Sequence, residues 1–146
     1  MRRLALLLIA LALAGCGGGS TATTLYAGGD WKVVLAGGHA TAFHSVAGSW
    51  KPDTSGAVKI RILGPDGTVA ATPQVAAELS AKKPLIESGM WVDGKELVVK
   101  GGGLTATKGT IYGAPDAPLT KGTHVAVAYA RTAAHATAIA WSFRVA

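Results

Sequence analysis

Four histidines, one cysteine and one Ser-x-x-Lys spacing are the features of this 146-residue chain whose chemistry could exceed packing. Neutral imidazole is a common metal ligand. His39 and His44 lie in "GGHATAFHS", within a stretch running to Asp53 that the flanking glycines predict to be a loop. This candidate binding loop carries His39, Phe43, His44 and Trp50, and loops on a rigid scaffold are frequent binding sites. The ordinary alternative is that Phe43 and Trp50 cap the core. The five-residue spacing of His39 and His44 is odd, so on a strand they would face opposite ways. Only a bend would bring both to one ion. His124 and His135 fall on the last two predicted strands. His39, His44 and His135 are the candidate metal ligands.

Catalysis finds little footing. Ser80-Ala81-Lys82-Lys83 has the S-x-x-K form of penicillin-binding enzymes, but no S-D-N or K-T-G follows. No G-x-S-x-G occurs, and the eight acids are scattered rather than paired for sugar hydrolysis. The expectation is a chain that is not an enzyme. A single cysteine, Cys16, excludes an internal disulfide, a CxxC redox pair and a cysteine-ligated zinc.

Cys16 has a more specific context. Arg2 and Arg3 precede eleven apolar residues, Leu4 to Ala14. A membrane-spanning helix needs about 20, whereas this length suits the apolar region of a secretory signal. A buried core helix would keep a polar face. Leu13-Ala14-Gly15-Cys16 resembles the lipobox of bacterial lipoproteins. The resemblance implies cleavage before Cys16, a diacylglyceryl group on its sulfur and an acyl group, such as palmitate, on the new amine. Each buried CH₂ contributes about 0.8 kcal/mol, and a second chain makes the anchor stable. Gly17 stands where an aspartate in that family favours the inner membrane. The implied address is therefore the periplasmic face of the outer membrane, with the outer face of the inner membrane as alternative. The expected organisation is a helical signal peptide over 1–15, lipidated Cys16 with a flexible tether over 16–28, and one domain over 29–146. No cofactor besides the covalent lipid is expected.

The elements that must position these residues read as short strands broken by Gly and Pro. "WKVVLA" is apolar and β-branched. Val58, Ile60 and Ile62 alternate with Lys59 and Arg61, the period of a half-buried strand. Gly64-Pro65-Asp66-Gly67 supplies turn chemistry, and Asp93-Gly94 predicts a tight hairpin. Gln74 to Lys83 is expected as a short helix or loop, and a weaker strand as lying between Thr105 and Tyr112. The last two strands, "THVAVAYAR" and "HATAIAWSFRV", are expected to pair Val127 with Ile139 and Val125 with Trp141. That register gathers the bulky groups on one face and leaves alanines on the other. The fold class expected is all-β, an antiparallel immunoglobulin-like β-sandwich without the immunoglobulin disulfide, with a small closed barrel as alternative. Trp31, Trp50, Trp91 and Trp141 are the expected heavy core fillers.

Leu119, Gly122, Thr123, His135, Phe143 and Val145 resemble the closing hairpin of periplasmic copper-resistance β-sandwich proteins. The resemblance implies a sandwich and carries over one ligand, His135. Ala133, Ala134 and Ala136 replace that family's Asp, Gly and Pro. The formal net charge of +6 is spread, with no basic run longer than Lys82-Lys83, which gives no footprint for nucleic acid. The function expected is a lipid-anchored periplasmic envelope module that binds or scaffolds without catalysis. Its partner would be an envelope protein or cell-wall polymer. The alternative is a periplasmic copper-binding protein using surface histidines.

Overall fold

The computed structural model describes residues 21–102 and 105–146. The expected signal peptide, Cys16 and the first residues of the expected tether lie outside these bounds. Thirteen strands are formed among the described residues, with no helix. They build three stacked antiparallel sheets, with one short parallel pairing at an edge.

The amino-terminal sheet is a meander of β1 (Thr23–Gly28), β2 (Trp31–Ala36), β3 (His39–Val46) and β4 (Ser49–Pro52). Two corrections follow. Thr23 to Gly28, expected as tether, form an edge strand, because Thr23, Thr24, Leu25 and Tyr26 suit a pleated surface and find β2 to pair with. The expected loop from His39 to Asp53 is instead β3 and β4. Its glycines are the turns themselves. Gly37-Gly38 (φ 57° and 77°) and Ala47-Gly48 (φ 51° and 81°) have the two positive φ values of a type I′ hairpin, as does Asp93-Gly94 (φ 50° and 80°).

The remaining strands form two sheets facing each other. The far sheet has the order β10 (Lys100–Gly102), β11 (Lys108–Gly113), β7 (Val75–Ala81), β5 (Val58–Gly64). The central sheet has the order β6 (Thr68–Val69), β13 (Ala136–Val145), β12 (Gly122–Arg131), β8 (Glu87–Val92), β9 (Lys95–Glu96). The chain passes between these two sheets at β5–β6, β6–β7, β7–β8, β9–β10 and β11–β12. Seven strands thereby reproduce the ABED and CFG sheets of an immunoglobulin-like sandwich, with β6 and β9 added at the edges of the second. Both sheets are open, so the barrel alternative does not hold. Gln74 to Lys83, expected as helix or loop, contains β7. Val75, Ala77 and Leu79 alternate into the core, and this burial overrides the helix preference of Ala76 and Glu78.

The register of β12 with β13 is one residue away from the expected one. Val127 pairs with Ala140 and Ala128 with Ile139. A slip of one residue turns every side chain over. Facing the far sheet, Ala126, Ala128 and Ala130 lie beside Trp141, Ile139 and Thr137. Facing the amino-terminal sheet, Val127 and Tyr129 lie beside Ala140 and Ala138. The physical reason is that both faces are covered. Each must fill one interlayer gap, and a bulky row beside a small row does so on both sides at once.

Two cores result. The first, between the far and central sheets, contains Val75, Leu79, Met90, Ile111 and Phe143. The second, between the central and amino-terminal sheets, contains Trp31, Val33, Ala42, Trp91, Val127 and Tyr129. Residues of β3 and β13 come within 8 Å at Cα, closer than the usual 10 Å between stacked sheets. Ala40 and Ala42 facing Ala136, Ala138 and Ala140 permit this approach. Trp31 and Trp91 are buried core fillers and Trp141 is partly buried. Trp50 is not in either core. It is 40% exposed, because β4 is an edge strand with all four residues open to solvent.

Candidate functional site

A large concavity opens at one end of the sandwich, where three distant stretches of chain meet. Ser55 to Ala57 follow the amino-terminal sheet, Lys82 to Ile86 connect β7 to β8, and Thr132 to His135 connect β12 to β13. The cavity has a volume of about 1010 Å³. In immunoglobulin-like terms these last two connections join the strands corresponding to B with C and F with G, two of the loops that carry recognition in variable domains.

Local hydrogen bonds fix this end. Thr132 is buried, and its hydroxyl accepts from the backbone N–H of Ala134 (3.3 Å) and His135 (3.1 Å). The Thr132 N–H donates to the His135 carbonyl at 2.8 Å, closing a four-residue turn. Asp53 braces the turn from outside. Its Oδ2 accepts from the Ala136 N–H (2.8 Å) and from His135 Nδ1 (3.2 Å), while Oδ1 accepts from the Ser55 N–H (2.9 Å). Burial raises the Asp53 pKa, but the bonds from Ser55, Ala136 and His135 outweigh it and hold the carboxyl below its ordinary range. Ionised Asp53 therefore welds the exit of the amino-terminal sheet to the closing hairpin. The Ile86 N–H donates to the Arg131 carbonyl and the Leu85 N–H to that of Ala106, which pins the β7–β8 connection.

Lys59, Lys82 and Lys83 line the cavity together with His135. Among the described residues these lysines have no carboxylate within 4 Å, whereas Glu78 is paired with Arg61 and Glu87 with Arg131. The rest of the lining is largely small and apolar. Ile86 is a large side chain left 55% exposed there. Basic side chains beside an apolar lining can hold an anion by focused charge and its non-polar part by burial.

The histidines expected as metal ligands are not gathered into one sphere. His39 is exposed at the start of β3, and His44 lies near its other end, stacked on the Trp31 indole at 4.0 Å. His135 is tied to Asp53. No group of three or more potential ligand side chains that could hold an ion occurs among the described residues. Phe43 and Trp50 project from the outer face of the amino-terminal sheet. There the Lys32 ammonium sits 5.3 Å from the Phe43 ring centre and 4.6 Å from that of Trp50. Of the expected binding-loop residues, these two thus share one small cation–aromatic patch, and His39 and His44 do not join it. Ser80 is on β7 and Lys83 beyond its end, so the S-x-x-K pair lacks the helical spacing that brings its two groups together.

Sequence reasoning missed Asp53 as a brace, Lys59 as part of a site, and the cavity itself. Of its lining, the sequence had singled out Lys82-Lys83, Ser80 and His135, each for another reason.

No protein-family model matches the chain, and no curated relative matches it. Among solved structures, the crystal structure of the titin M10–obscurin-like 1 Ig complex is similar to it. The TM-score is 0.38 and the identity 15%, over 61% of this chain and 95% of that one. The titin Ig tandem domains A164-A165 are similar with a TM-score of 0.41 and 6% identity, over 83% of this chain and 75% of that one.

Proposed function

We propose that this chain is a lipid-anchored envelope lipoprotein whose sandwich is a non-catalytic binding or scaffolding module on the periplasmic face of the outer membrane. One spatial relation supports the reading: the anchored end and the cavity end are opposite. Thr23, where β1 starts, stands seven positions after Cys16, a span of at most about 25 Å. β1 begins beside the β8–β9 hairpin, where a Cβ placed on Gly94 would meet Leu25 Cδ2 at 3.8 Å. That hairpin lies level with Val125, since the Asp93 N–H donates to the Val125 carbonyl. The cavity lies past the other end of β12, seven residues on, about 24 Å away at strand rise. A domain held by Cys16 would present its loop end away from the bilayer.

The test compares the wild-type chain with Cys16→Ser in a bacterial host. The wild type is expected to incorporate labelled palmitate, enter the detergent phase and fractionate with outer membranes. The variant is expected to do none of these. Palmitate-free wild-type protein in the aqueous phase would sink the reading.

A further inference from the structure

We propose that the loop-end cavity is a binding site for a small organic anion with an apolar body, such as an alkyl phosphate or carboxylate. This names the ligand class of the module proposed above, yet it does not require the lipid anchor.

Charge carries the first half of the argument. Lys59 comes from β5, while Lys82 and Lys83 come from the β7–β8 connection, so the fold brings these three cations to one concavity. Placing like charges together is unfavourable unless something answers them. Asp53, the acid that braces this end, forms no ion pair with these lysines; its carboxylate oxygens accept from Ser55, His135 and Ala136. Arg61, the neighbouring base on β5, shows the contrast: its guanidinium meets Glu78 at 3.0 Å. Among the described residues nothing comparable answers the three lysines, and a concave low-dielectric wall concentrates their field.

Shape carries the second half. A bare inorganic ion would need only the lysines. The space of about 1010 Å³ is at the upper end for small-molecule pockets. Its lining includes Pro84 and the open Ile86, whose removal from water would be favourable. The braced turn over Thr132 to His135 means that little of the wall must be ordered on binding, which favours a preformed site.

The experiment uses the Cys16→Ser chain, so that no acyl group competes, and titrates it calorimetrically with decyl phosphate below its micellar range. Saturable one-site binding is expected. Inorganic phosphate and decyltrimethylammonium should give no saturation over the same concentrations. Lys82→Glu with Lys83→Glu should weaken decyl phosphate binding at least tenfold, and Ile86→Ser at least threefold. Both sets of positions are exposed, so unchanged urea midpoints would show that the fold is intact. Equal binding of the cationic amphiphile, no effect of the charge reversal, or absence of saturation would overturn the proposal. So would sedimentation with phosphatidylglycerol vesicles in the absence of decyl phosphate binding, since the same cations would then serve a lipid surface. Failure of palmitate labelling would overturn the anchor and leave this binding untouched, so the two readings fail separately.

Discussion

The two faces of the central sheet are buried by different means. Toward the far sheet the contact is apolar and largely aliphatic: Val75, Leu79 and Ile111 of the far sheet meet Met90, Phe143 and the alanines of β12, and the Thr137 hydroxyl donates across to the Val58 carbonyl at 2.7 Å. Such a core is held by area and close packing, neither of which has a direction. Toward the amino-terminal sheet the contact is aromatic and ends in polar groups. Trp31, Trp91 and Tyr129 are buried, Tyr26 lies 5.5 Å from the Tyr129 ring, and the Arg131 guanidinium sits 5.5 Å from the Trp31 ring. The Tyr129 hydroxyl and Arg131 Nε both donate to Glu87 Oε1, at 3.1 and 3.2 Å. The difference teaches that the immunoglobulin-like pair is one interdigitated unit, whereas the amino-terminal sheet is docked on it by a few oriented anchors.

The hardest blow to that comparison is Trp31→Ala, expected to cost roughly 3–5 kcal/mol as a large aromatic leaving a buried site. Hydrogen exchange should show protection lost across β1 to β4 while amides of β7, β11 and β12 stay protected. Simultaneous loss everywhere would mean that the two faces are one cooperative unit. Leu79→Ala strikes the other face at roughly 2–5 kcal/mol. Here the urea midpoint should fall for the whole domain in a single transition, with no step in which the amino-terminal sheet alone survives.

Glu87→Gln sharpens the comparison at its polar edge. Burial raises the Glu87 pKa, but the Tyr26, Arg131 and Tyr129 side chains around it outweigh burial and hold it below the ordinary carboxylate value. Its stabilisation is thus complete above about pH 4.5 and is lost as the pH falls through the lower folded value. The variant should cost about 1–2 kcal/mol at pH 7, and its deficit against wild type should shrink in acid. A deficit independent of pH would assign the loss to shape and remove the directional character of this interface.

Legibility in the sequence followed the contrast between neighbours along each strand. β5 was visible because Lys59 and Arg61 separate Val58, Ile60 and Ile62, and the β8–β9 turn because Asp93-Gly94 has one dominant use. β12 and β13 were visible as strands, but their register was not. Both of their faces are apolar, so the alternation is one of size, and size does not reveal which face meets which layer. β7 was hidden for the same reason: Ala76 is apolar beside Val75 and Ala77, and Glu78 suits a helix. The strands β3 and β4 were hidden by glycines that mark tight hairpins as readily as loops. The cavity had no local signal, since 55–59, 80–86 and 132–135 meet only after the sandwich closes.

The smallest expected effect lies at the corner opposite the cavity, where the face toward the far sheet admits an imidazole. His124 is 6% exposed beside Phe143, near the start of β12. Its Nδ1 donates to Asp93 Oδ2 and its Nε2 to the Thr120 carbonyl at 2.6 Å, so both ring nitrogens act as donors. This places the histidine where immunoglobulin-like domains use a tyrosine that bonds back to the preceding loop. The bond to Asp93 chiefly, and that to Thr120, raise the His124 pKa above 6.5 despite burial. A folded value above the unfolded one means that the stabilisation is complete below about pH 6.5 and is lost as the pH rises through the folded value. Asp93→Asn keeps a residue type that tolerates the positive φ of this turn and removes the charge. Because Asp93 is partly solvated, the expected deficit is only about 1 kcal/mol at pH 5.5. Chemical denaturation at pH 9 should show a smaller gap between variant and wild type. Equal gaps at both pH values would make the contact a neutral hydrogen bond, and the first face would then contain no charge-dependent anchor of its own.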